Sequence, residues 1–445
     1  MQSTKIFVES GFDKDHKVQR TGILIFIYLL NIFIDKPDYK FFNKIFSAMK
    51  KRSVTRRQFI QTTAALTGMS LIASECKPKP AADLTPTSIP RWRGFNLLEK
   101  FIASNSNDPF RESDFALMAE LGFDFVRLPM SYRCWADPSD WKKLDEKTLK
   151  EIDQAVEFGN QYGIHVNVAF HRAPGFSVDR SLREPFNLWL DEEAQQAFDF
   201  HWGHFAQRYK GISNKKVSFN LVNEPASLDF ERTKPLPPEI HSKVMRRVVK
   251  VIRDIDPNRL IFADGMWWGR DPMPDLADLN VVQSTRGYEP SQITHYLAGW
   301  VDGADKWPVP TWPLKPELST ELRYLSDEMN QTYKNKLDRW GVPIDMEWGR
   351  ERIRLQMIEP WKKVQAMGVG VHVGEFGAFS KTPHDIVLAW MRELMEQWKE
   401  AGWGWAMWNF RGGFGILDSE RADVQYEDFK GHKLDRKMLE LIKEF

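Results

Sequence analysis

Residues 146–170 read EKTLKEIDQAVEFGNQYGIHVNVAF and contain one complete helix-then-strand unit. Leu149, Ile152 and Val156 recur at the spacing of one helix face, and Gly163 is a typical residue just after a helix end. The run HVNVAF that follows is short, apolar and rich in β-branched residues, which predicts a buried strand. The segment therefore predicts a helix packed against a strand, the repeating unit of an α/β fold.

The same alternation occurs eight times after residue 80. Short apolar runs predict strands at 92–97, 123–128, 165–170, 217–222, 260–263, 281–284, 369–373 and 403–408. Helical patterns separate them, and the clearest has Thr382 as N-cap, Pro383 at its first position and Gly402 at its end. Parallel strands need crossover connections, so eight units predict a (β/α)8 TIM barrel. The alternative, an open doubly wound sheet, lacks its glycine-rich loop after the first strand.

One connection is much longer than a minimal barrel requires. Residues 290–367, between predicted strands six and seven, hold six tryptophans: Trp300, Trp307, Trp312, Trp340, Trp348 and Trp361. A connection of this length in a compact domain usually shapes a binding site. The alternative for each indole is packing in a small core on the barrel rim.

Composition excludes several classes of protein. The 445 residues carry 62 Lys plus Arg against 61 Asp plus Glu, a net charge of +1, which predicts no nucleic-acid partner. Two cysteines, Cys76 and Cys134, are too few for a disulfide framework or a four-thiolate zinc site. The 18 tryptophans are the unusual feature, because exposed aromatic planes suit the flat apolar faces of sugars. Half or more of these indoles are still expected in the core.

The N-terminal region has the pattern of an export signal rather than of a folded domain. Residues 49–80 contain a twin-arginine motif, RRQFI at 56–60, then a mildly apolar run and the proline-rich KPKP. A basic helix on the domain surface is the alternative. We interpret residues 1–48 as an upstream segment read from a start codon earlier than the true one, or as an N-terminal extension.

Cys76 follows the apolar run at the place of a lipidation site, although Glu75 stands where a small residue is usual. A lipid anchor and a cleaved signal both remain open. Either one predicts an exported bacterial protein that is periplasmic, cell-surface or extracellular. Residues 81–445 are then the catalytic (β/α)8 domain.

Two carboxylates lie at predicted strand ends, where this fold forms its active sites. The fourth strand ends in Asn223-Glu224-Pro225 and the seventh in Gly374-Glu375-Phe376. These strands face each other across the barrel mouth, so Glu224 and Glu375 can converge on one bond. Two carboxyl groups about 5–5.5 Å apart suit glycoside hydrolysis with retention of configuration. One must then be protonated and the other ionised.

The combination resembles glycoside hydrolase family 5, a clan-A family of cellulases, mannanases and related β-glycanases, over residues 91–445. The resemblance implies that Glu224 is the general acid/base and Glu375 the nucleophile. It also implies that Asn223 binds the sugar 2-hydroxyl, a contact that strengthens in the transition state.

Three further residues each match a separate position of the family pattern. Arg127, at the end of strand two, resembles the arginine that keeps the nucleophile ionised; a rim salt bridge is the alternative. His171, after strand three, resembles a substrate-contacting histidine, although a lone histidine there is more often structural. Trp408, at the end of strand eight, resembles the indole platform under the sugar, where core packing is the alternative.

Strand six departs from the family pattern, which usually reads His-x-Tyr. This chain has Arg286-Gly287-Tyr288, so the tyrosine expected to bond the nucleophile is present and the histidine is replaced by a permanent cation. Arg286 within about 4–6 Å of Glu224 would lower the pKa of that acid. The alternatives are that Arg286 binds an anionic sugar, or that it pairs with a neighbouring acid such as Glu289.

Motifs of competing chemistries are absent from the sequence: it has no Gly-x-Ser-x-Gly, His-Glu-x-x-His or P-loop pattern. Proton transfer and covalent capture need no metal or other cofactor, so none is predicted. The sequence therefore predicts an exported retaining glycosidase acting on β-linked glucan- or mannan-type oligo- or polysaccharides. The alternatives are a carbohydrate-binding barrel without turnover, and a transglycosylase that uses the same intermediate.

Overall fold

The computed structural model describes residues 83–179, 183–315 and 336–445. Within these ranges eight parallel strands form a closed ring: β1 (Arg93–Asn96), β2 (Phe125–Ser131), β3 (His165–Ala173), β4 (Val217–Asn220), β5 (Leu260–Asp264), β6 (Val282–Gly287), β7 (Val371–Phe376) and β8 (Gly404–Met407). β1 pairs with β2 and β8, the order continues from β8 to β3, and β3 closes the ring on β2. The predicted (β/α)8 barrel is confirmed.

Helices surround the ring. The longer ones are α1 (Glu112–Leu121), α2 (Glu146–Tyr162), α3 (Glu192–Arg208), α4 (Pro238–Ile255), α5 (Glu359–Gln365), α6 (His384–Ala401) and α7 (Arg436–Lys443). Shorter helical turns are Pro86–Ser88, Tyr132–Cys134, Met266–Gly269, Pro274–Leu279, Ser291–Thr294, Ala304–Lys306, Arg350–Ile353 and the π-helical Arg354–Ile358. Small antiparallel strands are Ala136–Asp137 with Asp140–Leu144, Glu427–Phe429 with His432–Leu434, and Phe176–Ser177 on β3.

Helix α2 ends at Tyr162, as the position of Gly163 predicts, and Gly163 adopts the left-handed conformation at φ 70°. The predicted start of α6 is wrong by one residue. Pro383, with φ −51° and ψ 133°, is the N-cap and the helix begins at His384. The Thr382 hydroxyl donates instead to the carbonyl of Ile293 at 2.6 Å, because a tertiary acceptor lies within its reach. Gly402 ends this helix as predicted.

The core has two parts. The larger part fills the layer between the strands and the surrounding helices. A second cluster lies inside the ring near the strand N-termini, and its members are Trp92, Phe125, Leu260, Phe262, Val282 and Ala406. His372 of β7 contacts Phe125 of β2 across the ring, with ring centroids 4.6 Å apart. The lower barrel is therefore packed, which leaves the upper, carboxyl end of the strands for polar groups.

Several sequence predictions fall outside the described residues. These are the export signal at 49–80, the lipidation site at Cys76 and the interpretation of residues 1–48. Among the residues that the structure does describe, no helix combines the length and apolar character needed to cross a membrane.

The insertion between β6 and β7 is described except for residues 316–335. Its indoles divide between both predicted environments: Trp307, Trp348 and Trp361 are buried, Trp312 and Trp340 are half-buried, and Trp300 is 60% exposed. The insertion thus forms a small core against the barrel and also presents an aromatic surface to solvent.

Candidate active site

The two strand-end carboxylates lie together at the mouth of the barrel. Glu375 is part of β7, next to Arg286 of β6 in the strand register. The Arg286 guanidinium contacts both acids: Nε lies 2.9 Å from Glu224 Oε1, and Nη2 lies 3.4 Å from Glu375 Oε1. Because one small planar group reaches both carboxylates, they face the same space, as expected from the positions of β4 and β7.

Glu375 is held on both of its oxygens. Arg127 Nη1 donates to Oε1 at 2.6 Å, and the Tyr288 hydroxyl donates to Oε2 at 3.2 Å. Burial raises the pKa of Tyr288 well above its usual range, so the phenol keeps its proton and remains a donor. The side chain of Glu375 is only 4% exposed, and its bonds with Arg127 and Tyr288 fix the direction in which its carboxylate points.

Glu224 has a different environment. Burial raises its pKa to about 7, with the charge of Glu375 adding to the rise and the charge of Arg286 opposing it. The side chain is still 14% exposed, so it borders the open mouth. One carboxyl group of the pair can therefore carry a proton near neutral pH while facing an ionisable partner, the condition for acid catalysis by two carboxylates.

Arg127 is a buried hub rather than a rim salt bridge. Besides Glu375, it donates to the side-chain oxygens of Asn220 at 2.8 Å, Asn96 at 3.1 Å and Asn223 at 2.9 Å. Its side chain is 1% exposed. Every one of these acceptors comes from a barrel strand or strand end, so the guanidinium is fixed relative to the whole ring.

Two nitrogen atoms at this site have no hydrogen-bond partner in the described part of the chain. One is Nδ2 of Asn223, whose Oδ1 accepts from Arg127 and Arg286. The other is Nδ1 of His171, a side chain whose pKa burial lowers to about 3, so the ring is neutral. Buried polar atoms are normally satisfied, so two such atoms together indicate a place for ligand hydroxyl groups.

Trp408 completes this face of the site. Its half-buried indole lies nearly parallel to the His171 ring, with centroids 5.6 Å apart and 25° between the planes. Phe101 packs edge-on against it at 5.6 Å. The indole is therefore held in one orientation at the barrel mouth without being enclosed by the core.

The partner of Arg286 differs from the one expected from neighbouring sequence. Glu289 pairs with Arg270, not with Arg286. Arg286 pairs with Glu224 and with Asp264, at the carboxyl end of β5. The guanidinium also donates to the Ser284 hydroxyl at 3.0 Å and to Asn223 Oδ1 at 2.9 Å, and the side chain is 1% exposed.

Sequence reasoning missed Asp264, Asn96 and Asn220. Asp264 Oδ1 accepts from Asn220 Nδ2 at 2.9 Å, and Oδ2 accepts from the Glu224 backbone N–H at 3.0 Å. A signal for Asp264 was present, because it is a carboxylate directly after the predicted strand 260–263. The two asparagines carry no such signal, since buried amides at strand positions serve many structural purposes.

A row of aromatic rings leads away from Tyr288. His295 packs edge-on against it at 5.4 Å, and Phe414 lies 6.3 Å from it. Trp300 is 6.2 Å from Phe414 and packs edge-on against Phe379 at 4.9 Å. The row ends in the exposed indole of Trp300, so the insertion adds an aromatic surface to the barrel mouth.

A cavity of about 260 Å³ lies between β6 and the insertion, with Arg270, Thr285, Trp340, Trp348 and Trp361 among its lining residues. Arg270 is already paired with Glu289 there. Across the described ranges, no group of three or more His, Cys, Asp or Glu side chains is arranged to hold a metal ion.

Comparisons with known proteins identify the family of this chain. The family model Cellulase (glycosyl hydrolase family 5) matches residues 82–413. Endoglucanase C of Acetivibrio thermocellus (strain ATCC 27405) is 26% identical over 322 residues, which cover 71% of this chain and 88% of the endoglucanase. A crystal structure of a glycoside hydrolase is 36% identical, with TM-score 0.69, covering 80% of this chain and 99% of its own. Thermotoga maritima Cel5A, solved in complex with mannotriose, shares the fold at 22% identity and TM-score 0.56, over 79% of this chain and 97% of its own. The chain belongs to glycosyl hydrolase family 5, the cellulase family.

Proposed function

We propose that this protein is a retaining glycosidase that cleaves β-linked glucan- or mannan-type chains, with Glu224 as acid/base and Glu375 as nucleophile. The observation that carries the proposal is the meeting of these carboxylates on the Arg286 guanidinium. One of them has its pKa raised to about 7, and the other is bonded by Arg127 and Tyr288. Two acids in such unlike environments suit an acid and a nucleophile.

In the first step a carboxylate oxygen of Glu375 forms a bond to the anomeric carbon. The bond from that carbon to the leaving oxygen breaks, and Glu224 gives its proton to this oxygen. Arg127 keeps the Glu375 carboxylate in place through its 2.6 Å contact with Oε1. The products of the step are a glycosyl ester of Glu375, an ionised Glu224 and the released half of the chain.

In the second step Glu224 acts as a base. It takes a proton from water, whose oxygen bonds to the anomeric carbon while the ester bond to Glu375 breaks. Two displacements return the product with the configuration of the substrate. Both carboxyl groups end in their starting protonation states.

Three side chains are placed to hold the sugar during these steps. Asn223 Nδ2 and His171 Nδ1 are the unsatisfied atoms of the site, and hydroxyl groups of the sugar would satisfy them. Trp408 offers a flat apolar face beside His171. A contact from Asn223 to the 2-hydroxyl would strengthen as positive charge develops at the neighbouring anomeric carbon.

Family membership and the relatives support the proposed substrate class. Curated relatives include endoglucanases, and Endoglucanase C is matched over 88% of its length. This supports a β-linked glucan chain as the first substrate to test, with β-mannan second. A site of aromatic faces and hydroxyl-binding nitrogens suits either polymer, because both present flat pyranose rings.

The test is hydrolysis of soluble β-1,4-glucan and β-mannan oligosaccharides of increasing length, with products separated by chain length. Shortened chains with new reducing ends are expected from at least one series. Binding without products would indicate a carbohydrate-binding barrel instead. Products longer than the substrate would indicate a transglycosylase.

The same oligosaccharides test the exposed indole of Trp300. We expect Trp300→Ala to raise KM for chains long enough to reach it by about 3–10-fold, with little change for a short aryl glycoside, because aromatic stacking contributes roughly 0.5–1.5 kcal/mol. Val309→Ala, another exposed apolar residue of the insertion, is the matched control. Equal KM values for Trp300→Ala and the wild type on every chain length would remove Trp300 from substrate binding.

A further inference from the structure

Five ionisable side chains form one buried cluster at the barrel mouth. Two are arginines, Arg127 and Arg286, and three are acids, Glu224, Asp264 and Glu375. Arg127 contacts Glu375 at 2.6 Å, while Arg286 contacts Glu224 at 2.9 Å, Glu375 at 3.4 Å and also Asp264. The charges are close enough, and buried enough, that the state of each acid depends on the others.

The sum of these charges depends on a single proton. Arginine stays protonated in proteins, so the two guanidiniums contribute two permanent positive charges. Asp264 and Glu375, each with a guanidinium contact, contribute two negative charges. The cluster is then neutral when Glu224 is protonated and carries one negative charge when it is not.

The other titratable groups facing the cluster leave this sum unchanged near neutral pH. Burial lowers the pKa of His171 to about 3, of His241 to about 4 and of His372 to about 3, so these rings are neutral. Burial also raises the pKa of Tyr288 well above its usual range, so the phenol is neutral.

The side chain of Asp264 has no exposed surface. It pairs with Arg286 and also accepts a hydrogen bond from the backbone of Glu224. Its Oδ2 accepts the Glu224 N–H at 3.0 Å, and Glu224 has a φ of 51°, in the left-handed region that residues with a Cβ disfavour. A backbone held in such a conformation needs a fixed partner. Asp264 provides one at the residue whose side chain faces the leaving group in the proposed reaction.

We propose that Asp264 is a positioning residue that cancels the permanent charge of Arg286, so that Glu224 keeps the proton it must donate. The inference rests on the proposed function for the role of that proton. Without Asp264, Arg286 would draw Glu224 into its ionised form. With Asp264, the same guanidinium orients the Glu224 carboxyl group and leaves its proton in place.

The experiment compares Asp264→Asn, Arg286→Gln and the double variant by the pH dependence of kcat/KM. In the wild type, the loss of activity on the alkaline side is expected near the Glu224 pKa of about 7. Asp264→Asn removes a negative charge, which favours ionised Glu224, so its alkaline limb should move down by about one pH unit or more. Arg286→Gln removes a positive charge and should move the limb up. The double variant should return toward the wild-type value.

A second readout does not depend on turnover. Carbon-13 NMR of labelled glutamate carboxyl groups follows the titration of Glu224 directly in each variant, with Glu224→Gln to assign the signal. The midpoints should move in the same directions as the activity limbs. Thermal unfolding should show that Arg286→Gln is less stable than the double variant, because only the single variant leaves the buried charge of Asp264 without its cation.

The inference would be overturned if Asp264→Asn and Arg286→Gln moved the alkaline limb in the same direction. It would also be overturned if Asp264→Asn lowered kcat without moving the titration midpoint of Glu224. A double variant less stable than Arg286→Gln would also contradict it. Failure of the proposed function looks different: the wild-type protein itself would hydrolyse none of the glycans, while the NMR titration would still report on the charge balance.

Discussion

Glu375→Gln is expected to reduce kcat by about 10⁴-fold or more on every substrate, because an amide cannot form the ester with the anomeric carbon. The amide has nearly the shape of the carboxylate: its oxygen can still accept from Arg127, and its NH2 group can donate to the Tyr288 hydroxyl oxygen. Substrate binding should therefore persist while turnover is lost. Steady-state kinetics together with calorimetric binding of an oligosaccharide measures both quantities on one preparation.

The matched control for this variant is Glu157→Gln, an identical change at an exposed position of α2. It should keep wild-type kinetics and the wild-type unfolding temperature. A Glu375→Gln protein that is folded and retains near-full activity would show that another group attacks the sugar. A Glu375→Gln protein that has lost both oligosaccharide binding and its fold would instead show a structural effect on the barrel mouth as a whole. Comparison of its unfolding temperature with that of Glu157→Gln separates these two cases.

Glu224→Gln is expected to show an effect that depends on the leaving group. An oligosaccharide releases a poorly acidic hydroxyl group that needs the proton of Glu224, so kcat should fall by about 10²–10⁴-fold. An aryl glycoside with an acidic phenol can leave without that proton, so formation of the ester on Glu375 should be much less affected. The rate of phenol release in the first turnover measures this step.

The second step of the same variant gives an independent check. Hydrolysis of the ester needs a base, and glutamine supplies none, so the intermediate should accumulate after an initial burst of phenol. Added azide needs no deprotonation and should restore turnover with a glycosyl azide as product. The role given to Glu224 would be contradicted if Glu224→Gln lost activity equally on the oligosaccharide and on the activated aryl glycoside, and if azide did not restore turnover.

The fold and the meeting of the carboxylates could be predicted because both follow from local patterns. Alternating apolar runs and helix faces specify (β/α)8 units, and the barrel brings the carboxyl ends of all strands to one mouth. Glu224 and Glu375 therefore had to lie near each other once they were assigned to strand ends. Asn223 and Arg127 were assigned from the resemblance to the family, and in the structure both belong to one hydrogen-bond network with Glu375.

The sequence could not decide among the possible partners of Arg286, because that choice depends on tertiary distances. Glu289 is near in sequence but pairs with Arg270, whereas Asp264 and Glu224 belong to other strand ends. Thr382 failed for a similar reason, since a carbonyl distant in sequence, not the helix N-terminus, takes its hydroxyl.

Tryptophan positions also could not be resolved from sequence. An indole of the insertion packs inward or faces solvent according to the path of a long connection, and no periodicity records that path. Trp361 is fully buried and Trp300 is 60% exposed, although both lie in the same insertion.

The most direct test of the account is proton NMR of the first product formed from a β-linked oligosaccharide, recorded before the two anomers equilibrate. Two successive displacements through Glu375 predict that the new reducing end appears first as the β-anomer. First appearance of the α-anomer would mean a single displacement by water, and a covalent role for Glu375 would then be contradicted.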